Sequence, residues 1–107
     1  MTEAVENRVA GFLGLCMRAG QLTSGQEACV DAIRRGNAKI VFLDEGASDN
    51  TKKRVQDACD AHEVALYTLS EGTLGWCIGK SGRMVITLPE GNMATKLLTQ
   101  LDGEPRL

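Results

Sequence analysis

Aromatic side chains are scarce: Phe12, Phe42, Tyr67 and Trp76 make up 4% of the 107 residues. The core must therefore be aliphatic. A protein that grips single strands by stacking successive bases on aromatic faces would need more of them. Histidine occurs once, at His62, with no serine or cysteine nucleophile placed near it, so acid–base catalysis has little to build on. Basic excess is missing too. The net charge is −2 and the pI about 5.3, where free nucleic-acid binders are usually basic. No apolar stretch approaches the length of a membrane span, and the acidic start, Met1 to Asn7, lacks the apolar run of a signal peptide. A cytoplasmic protein is expected.

Cys16, Cys29, Cys59 and Cys77 form no Cys-x-x-Cys pair, which excludes the spacing of zinc knuckles and thioredoxin-like sites. Each falls on the apolar stripe of an expected helix and reads as a small buried hydrophobe. No metal or other cofactor is expected.

What is present is an alternation of helix and strand patterns, with twelve glycines spread along the expected element boundaries. Val5, Val9, Phe12, Leu13 and Cys16 recur at helical spacing and predict a first helix from about Glu3 to Arg18, ended by Ala19-Gly20. Gln21 to Thr23 is a short strand candidate. Cys29, Val30 and Ile33 line a second helix that stops near Gly36. Lys39 to Leu43 is a continuous apolar run, as in a strand buried on both faces. Val55, Ala58, Cys59 and His62 carry a third helix, and Ala65 to Leu69 a strand. Leu74, Cys77 and Ile78 carry a short fourth helix, and Met84 to Leu88 the last strand. Pro89 and Glu90 open a final helix containing Met93, Leu97, Leu98 and Leu101. The pattern predicts one domain over residues 1–102 and a frayed tail from Gly103 to Leu107. Its fold class is α/β, with helices on both faces of a small sheet.

Three helices are expected to start just after strands, at Ser24, Ser48 and Ser70. Ser24 with Glu27 three residues on reads as a capping box, and Gly25 lets the backbone approach whatever lies over that helix end. Helix starts carry free N–H groups and a partial positive charge, which makes them natural anion sites. In open α/β sheets ligands gather at the carboxyl ends of strands, where these helix starts point. The loop Lys80-Ser81-Gly82-Arg83 is a fourth candidate for that rim. Lys52, Lys53 and Arg54 are expected in the first turn of the third helix, where cations oppose the macrodipole; that local conflict favours an outside anionic partner. Asp44-Glu45 reads as a solvated loop pair rather than a catalytic one. Gly75 to Ser81 falls short of a Walker loop: it has three residues between its glycines and follows a helix. Trp76 lies off the apolar stripe and is expected at the surface.

Several segments taken in order carry a family resemblance. They are Leu15-Cys16-Met17-Arg18-Ala19-Gly20, Ser24-Gly25, Ala38-Lys39-Ile40-Val41, Ala47 to Lys53, and Leu74-Gly75 through Gly79-Lys80. Together they resemble the ribosomal protein L-seven-Ae / L-thirty-e superfamily, and within it the bacterial YlxQ-like branch. The resemblance implies a three-layer α/β/α sandwich with a mixed four-stranded sheet. It implies a non-catalytic, ribosome-associated partner of structured RNA, with kink-turn RNA and ribosomal proteins as partners. It places the RNA surface on Ser24, Gly25, Gln26, Glu27, Ala28, Asp31, Ser48, Lys52, Lys80, Ser81 and Arg83.

Strong kink-turn binders have Asn-Glu and then a lysine where this chain has Glu27, Ala28 and Asp31. They often have a cation where it has Glu71. Three of those changes introduce an acid, and an RNA phosphate beside them would be repelled. Kink-turn recognition is therefore expected to be weakened or altered. The alternative is a protein-interaction module that kept the fold and lost RNA.

Overall fold

The computed structural model describes residues 1–107. Its order is α1 (Glu3–Arg18), β1 (Thr23–Ser24), α2 (Gln26–Arg34), β2 (Ile40–Asp44), α3 (Asp49–His62), β3 (Ala65–Leu69), α4 (Thr73–Ile78), β4 (Val85–Leu88) and α5 (Asn92–Gln100). The strands form one sheet in the order β1-β4-β2-β3. β2 and β3 run parallel, while β4 is antiparallel to both β2 and β1.

The apolar run of β2 is central because both of its edges are paired and both of its faces are covered. Alternation of side chains then sorts its residues to opposite layers. Ile40 and Phe42 join α1, α4 and α5 around Val9, Leu13, Leu74 and Leu97. Val41 and Leu43 join α2 and α3 around Cys29, Ile33, Val55 and Cys59. The result is the expected three-layer α/β/α sandwich on a mixed four-stranded sheet. No helix is long and apolar enough to cross a membrane.

Several boundaries differ from expectation. β1 starts two residues and ends one residue later than the Gln21–Thr23 candidate, because Thr23 and Ser24 are the residues in register with Thr87 and Ile86. α4 begins at Thr73 behind Gly72, and α5 at Asn92 behind Gly91. Ser70 does not cap α4. Its N–H and hydroxyl donate instead to the Glu6 carboxylate at 2.8 and 2.9 Å, tying the end of β3 to α1. The tail is held rather than frayed. Leu107 N–H donates to Leu66 O (2.9 Å) on the outer edge of β3, and Arg106 Nε donates to the Tyr67 hydroxyl (3.2 Å).

Cys16, Cys29 and Cys59 are buried and Cys77 half-buried, all as free thiols. Burial pushes the Cys29 and Cys59 thiols up to about 12 and Cys77 to about 11. A raised thiol stays neutral in the fold while the unfolded chain ionises. The stabilisation is fully present below the unfolded value of about 8.5 and is lost as pH rises toward the folded values. Urea melts should therefore show stability falling above pH 9, by up to about 1.4 kcal/mol per pH unit for each such thiol. A flat profile from pH 8 to pH 10.5 would contradict the buried placement.

Candidate nucleic-acid interface

Because β4 opposes the other three strands, the carboxyl ends of β1, β2 and β3 share one rim with the entrance to β4. The starts of α2, α3 and α4 and the loop Lys80–Arg83 therefore meet along one edge of the molecule.

At the start of α2 the capping box does not form. Ser24 belongs to β1, and the N-cap is Gly25, with φ +99° and no side-chain cap bond. Pairing to β4 sets this: Gly25 N–H donates to Val85 O (3.0 Å), so the chain must turn into the helix at Gly25. That φ lies in the left-handed region open to glycine. The Arg83 guanidinium packs against the same spot, with Nη1 3.0 Å from where a β-carbon would sit.

Glu27, freed from capping, makes a two-pronged pair with Arg54 of α3, at 2.7 and 2.8 Å. Gln26 Oε1 accepts from the Thr51 hydroxyl at 2.7 Å, and Thr51 Oγ1 accepts from Ser48 Oγ at 3.0 Å. Ser48 is the true N-cap of α3: its Oγ accepts from Thr51 N–H at 3.2 Å. One polar chain thus joins the starts of α2 and α3.

α3 begins at Asp49 behind its Ser48 cap, so Lys52 closes the first turn while Lys53 and Arg54 fall in the second. Lys53 pairs with Asp57 and Arg54 with Glu27. No carboxylate oxygen comes within 4.0 Å of Lys52, Lys80 or Arg83. The conflict with the macrodipole is correspondingly smaller, and the unpaired charge falls to Lys52.

Asp44 is not a solvated loop residue. It ends β2 fully buried, and its two oxygens accept from Gly46 N–H (2.8 Å) and Gly72 N–H (2.9 Å). It pins the loop into α3 to the loop into α4. Glu45 beside it is exposed. Glu71 folds over Gly46, where a β-carbon would meet its Cγ at 2.7 Å, so any side chain at Gly46 would displace it. Between α4 and the loop before β4 lies an open cleft of about 290 Å³, lined by Trp76, Ser81 and Arg83 among others. Trp76 is 79% exposed, as its place off the apolar stripe implied.

The structure thus brings Gly25, Gln26, Glu27, Ser48, Lys52, Lys80, Ser81 and Arg83 to the rim region. Asp31 stands apart. It pairs with Arg35 at 3.0 Å and, with Ala28, lines a groove beside β1 that runs down to Asn37 and Pro89. Two of the three acids counted against RNA, Glu27 and Asp31, are therefore paired with arginines. Sequence reasoning missed the roles of Arg54, Thr51 and Asp44. The first two act through partners more than twenty residues away, so no local pattern announces them. His62 ends α3 at the far end of the sheet from Asp44, so the two share no site. What the rim offers chemically is backbone N–H groups and cations for a polyanion.

Comparison with known proteins agrees with this architecture. A family model described as "Ribosomal protein L7Ae/L30e/S12e/Gadd45 family" matches residues 7–97. The chain is 40% identical over 92 residues to "RNA-binding protein YlxQ" of Bacillus subtilis, covering 85% of this chain and 92% of that protein. It is 38% identical over 104 residues to "RNA-binding protein YlxQ" of Enterococcus faecium, covering 96% and 100%. A solved structure, "Giardia lamblia 15.5kD RNA binding protein", superposes with a TM-score of 0.78 over 97% of this chain and 89% of that one. At 15% identity it speaks for the fold alone. The chain belongs to the ribosomal protein L7Ae/L30e/S12e/Gadd45 family.

Proposed function

We propose that residues 1–102 act as one non-catalytic, cytoplasmic RNA-binding domain, ribosome-associated, that docks structured RNA along the rim. The observation that carries this reading is the set of Lys52, Lys80 and Arg83, free of carboxylate partners beside the helix starts. Backbone N–H groups at the start of α2 add donors that no side-chain substitution removes. The names of the two YlxQ relatives support RNA as the partner class.

Kink-turn recognition is altered in this reading. Glu27, at a position where strong binders carry Asn, is committed to Arg54, and Ala28 offers no donor. Replacing Glu27 by Gln removes an exposed acid and frees the Arg54 guanidinium toward the rim. The expected outcome is RNA affinity higher by roughly three- to fivefold, about one phosphate contact. Stability should change by less than about 1 kcal/mol, because the pair is exposed. Filter binding of a kink-turn RNA at two salt concentrations reads the affinity; unchanged or weaker binding by E27Q would contradict the role given to Glu27. Absence of salt-sensitive binding by the wild-type chain, to that RNA and to ribosomal RNA, would remove the reading as a whole.

A protein-interaction module is the second reading. The exposed Trp76 favours it, since exposed aromatic side chains anchor protein partners. The unpaired cations beside that residue favour RNA.

A further inference from the structure

At the opposite end of the sheet from the rim, an open cavity of about 300 Å³ is lined by Lys39, His62 and Arg106, together with Glu63 and apolar side chains including Leu98. Three features make it more than a solvated surface. First, Arg106 is held from behind. Its Nε donates to the hydroxyl of Tyr67, which is 3% exposed, and its guanidinium carbon sits 5.9 Å from the Tyr67 ring centroid. The residue after it is tied to β3 through Leu107 N–H and Leu66 O. An arginine positioned in this way has already lost much of its side-chain freedom. Its terminal nitrogens donate no hydrogen bond within the chain and remain available to an oxyanion in two-pronged geometry.

Second, Lys39 has its backbone fixed by the bond from its N–H to Leu88 O (2.7 Å). Its ammonium has no carboxylate within 4.0 Å, and neither does the His62 imidazole. Third, the three groups come from separate parts of the chain: the entrance to β2, the last turn of α3 and the tail. The fold, and not a local charge run, brings them to one cavity. Glu63 is the one acid in the lining, and it too is unpaired.

The geometry points to a second phosphate-binding site at Lys39, His62 and Arg106, which takes backbone phosphates of a second RNA segment. The inference rests on the RNA-binding reading for the source of the phosphate, though not for the site itself. Two cation sets at opposite ends of the strands would let one small protein hold two RNA segments together.

His62 is the only histidine, so its imidazole gives a single NMR signal pair that reports this cavity alone. The full chain is titrated with inorganic phosphate, with a short RNA duplex and with an acidic peptide of equal charge. The expected result is a saturable shift of His62 with phosphate and with the duplex, lost in Lys39→Gln and in Arg106→Gln. In the Lys39→Gln, Arg106→Gln double variant, the dependence of log affinity on log salt should fall by about two contacts, a slope change of roughly 1.5 to 2. Lys39→Gln leaves the tail contacts intact, so a folding defect in the Arg106 variant does not blur the outcome. A His62 signal unmoved by phosphate and duplex overturns the site. A shift with the peptide but not the duplex overturns RNA as its ligand. If the rim reading alone fails, the rim residues give no response to RNA while the phosphate and duplex shifts at His62 persist.

Discussion

Replacing Lys52, Lys80 and Arg83 together by glutamine is expected to weaken RNA binding by about a hundredfold at physiological salt, without loss of fold. Each phosphate neutralised by a cation releases condensed counterions. At about 0.15 M salt that release is worth roughly fivefold per contact, so three contacts multiply to about a hundredfold. The slope of log affinity against log salt should flatten by roughly 2 to 3 at the same time. None of the three side chains is engaged by a carboxylate, and Lys80 is exposed, so the fold has little to lose. Binding measured across 50 to 300 mM salt separates this from a general weakening. A triple variant with wild-type affinity and slope would remove these cations from the interface.

Replacing Asp44 by alanine is expected to be the most damaging change at the rim, and through stability rather than charge. The substitution leaves the Gly46 and Gly72 N–H groups without their partner. A hydrogen bond to a charged acceptor contributes about 1.5 to 3 kcal/mol, so losing the pair costs about 3 kcal/mol. For a domain of this size that lowers the melting temperature by on the order of 15 °C. Asp44→Asn keeps one acceptor and should fall between. The two loops that Asp44 joins carry the starts of α3 and α4, so RNA affinity of the alanine variant should drop even where it is folded. Thermal melts followed by circular dichroism give the first number. A shift below about 3 °C would mean that water or loop movement replaces both hydrogen bonds.

The layers were legible because long-period patterns survive tertiary contacts. Val5 to Cys16 announced α1 to the residue, and the apolar run at Ile40 announced a central strand. Ser48 was legible as a cap because its motif is local: hydroxyl and N–H lie three residues apart. Ser24 and Ser70 carry the same local signal and do other work. At Ser24 the ladder to β4 claims the residue, and the turn moves to Gly25. At Ser70 a carboxylate sixty-four residues away claims both donors. A cap motif competes with partners that only the fold supplies.

The same limit governs the site. Its cations were legible by type, yet their availability was not. Arg54 looks as free as Lys52 in the sequence and is spent on Glu27. Asp44 looks like half of a surface pair and is the buried pin of the rim. Charge counting at the family positions gave repulsion, whereas the pairing of Glu27 with Arg54 and of Asp31 with Arg35 leaves those positions closer to neutral.

The most direct measurement of where RNA docks is a map of backbone amide shifts on adding a kink-turn RNA to the isotope-labelled chain. The largest changes are expected at Gly25 to Ala28, at Ser48 to Lys52 and at Lys80 to Arg83. Shifts absent from those three segments, with binding nonetheless tight and salt-sensitive, would contradict a rim that binds RNA.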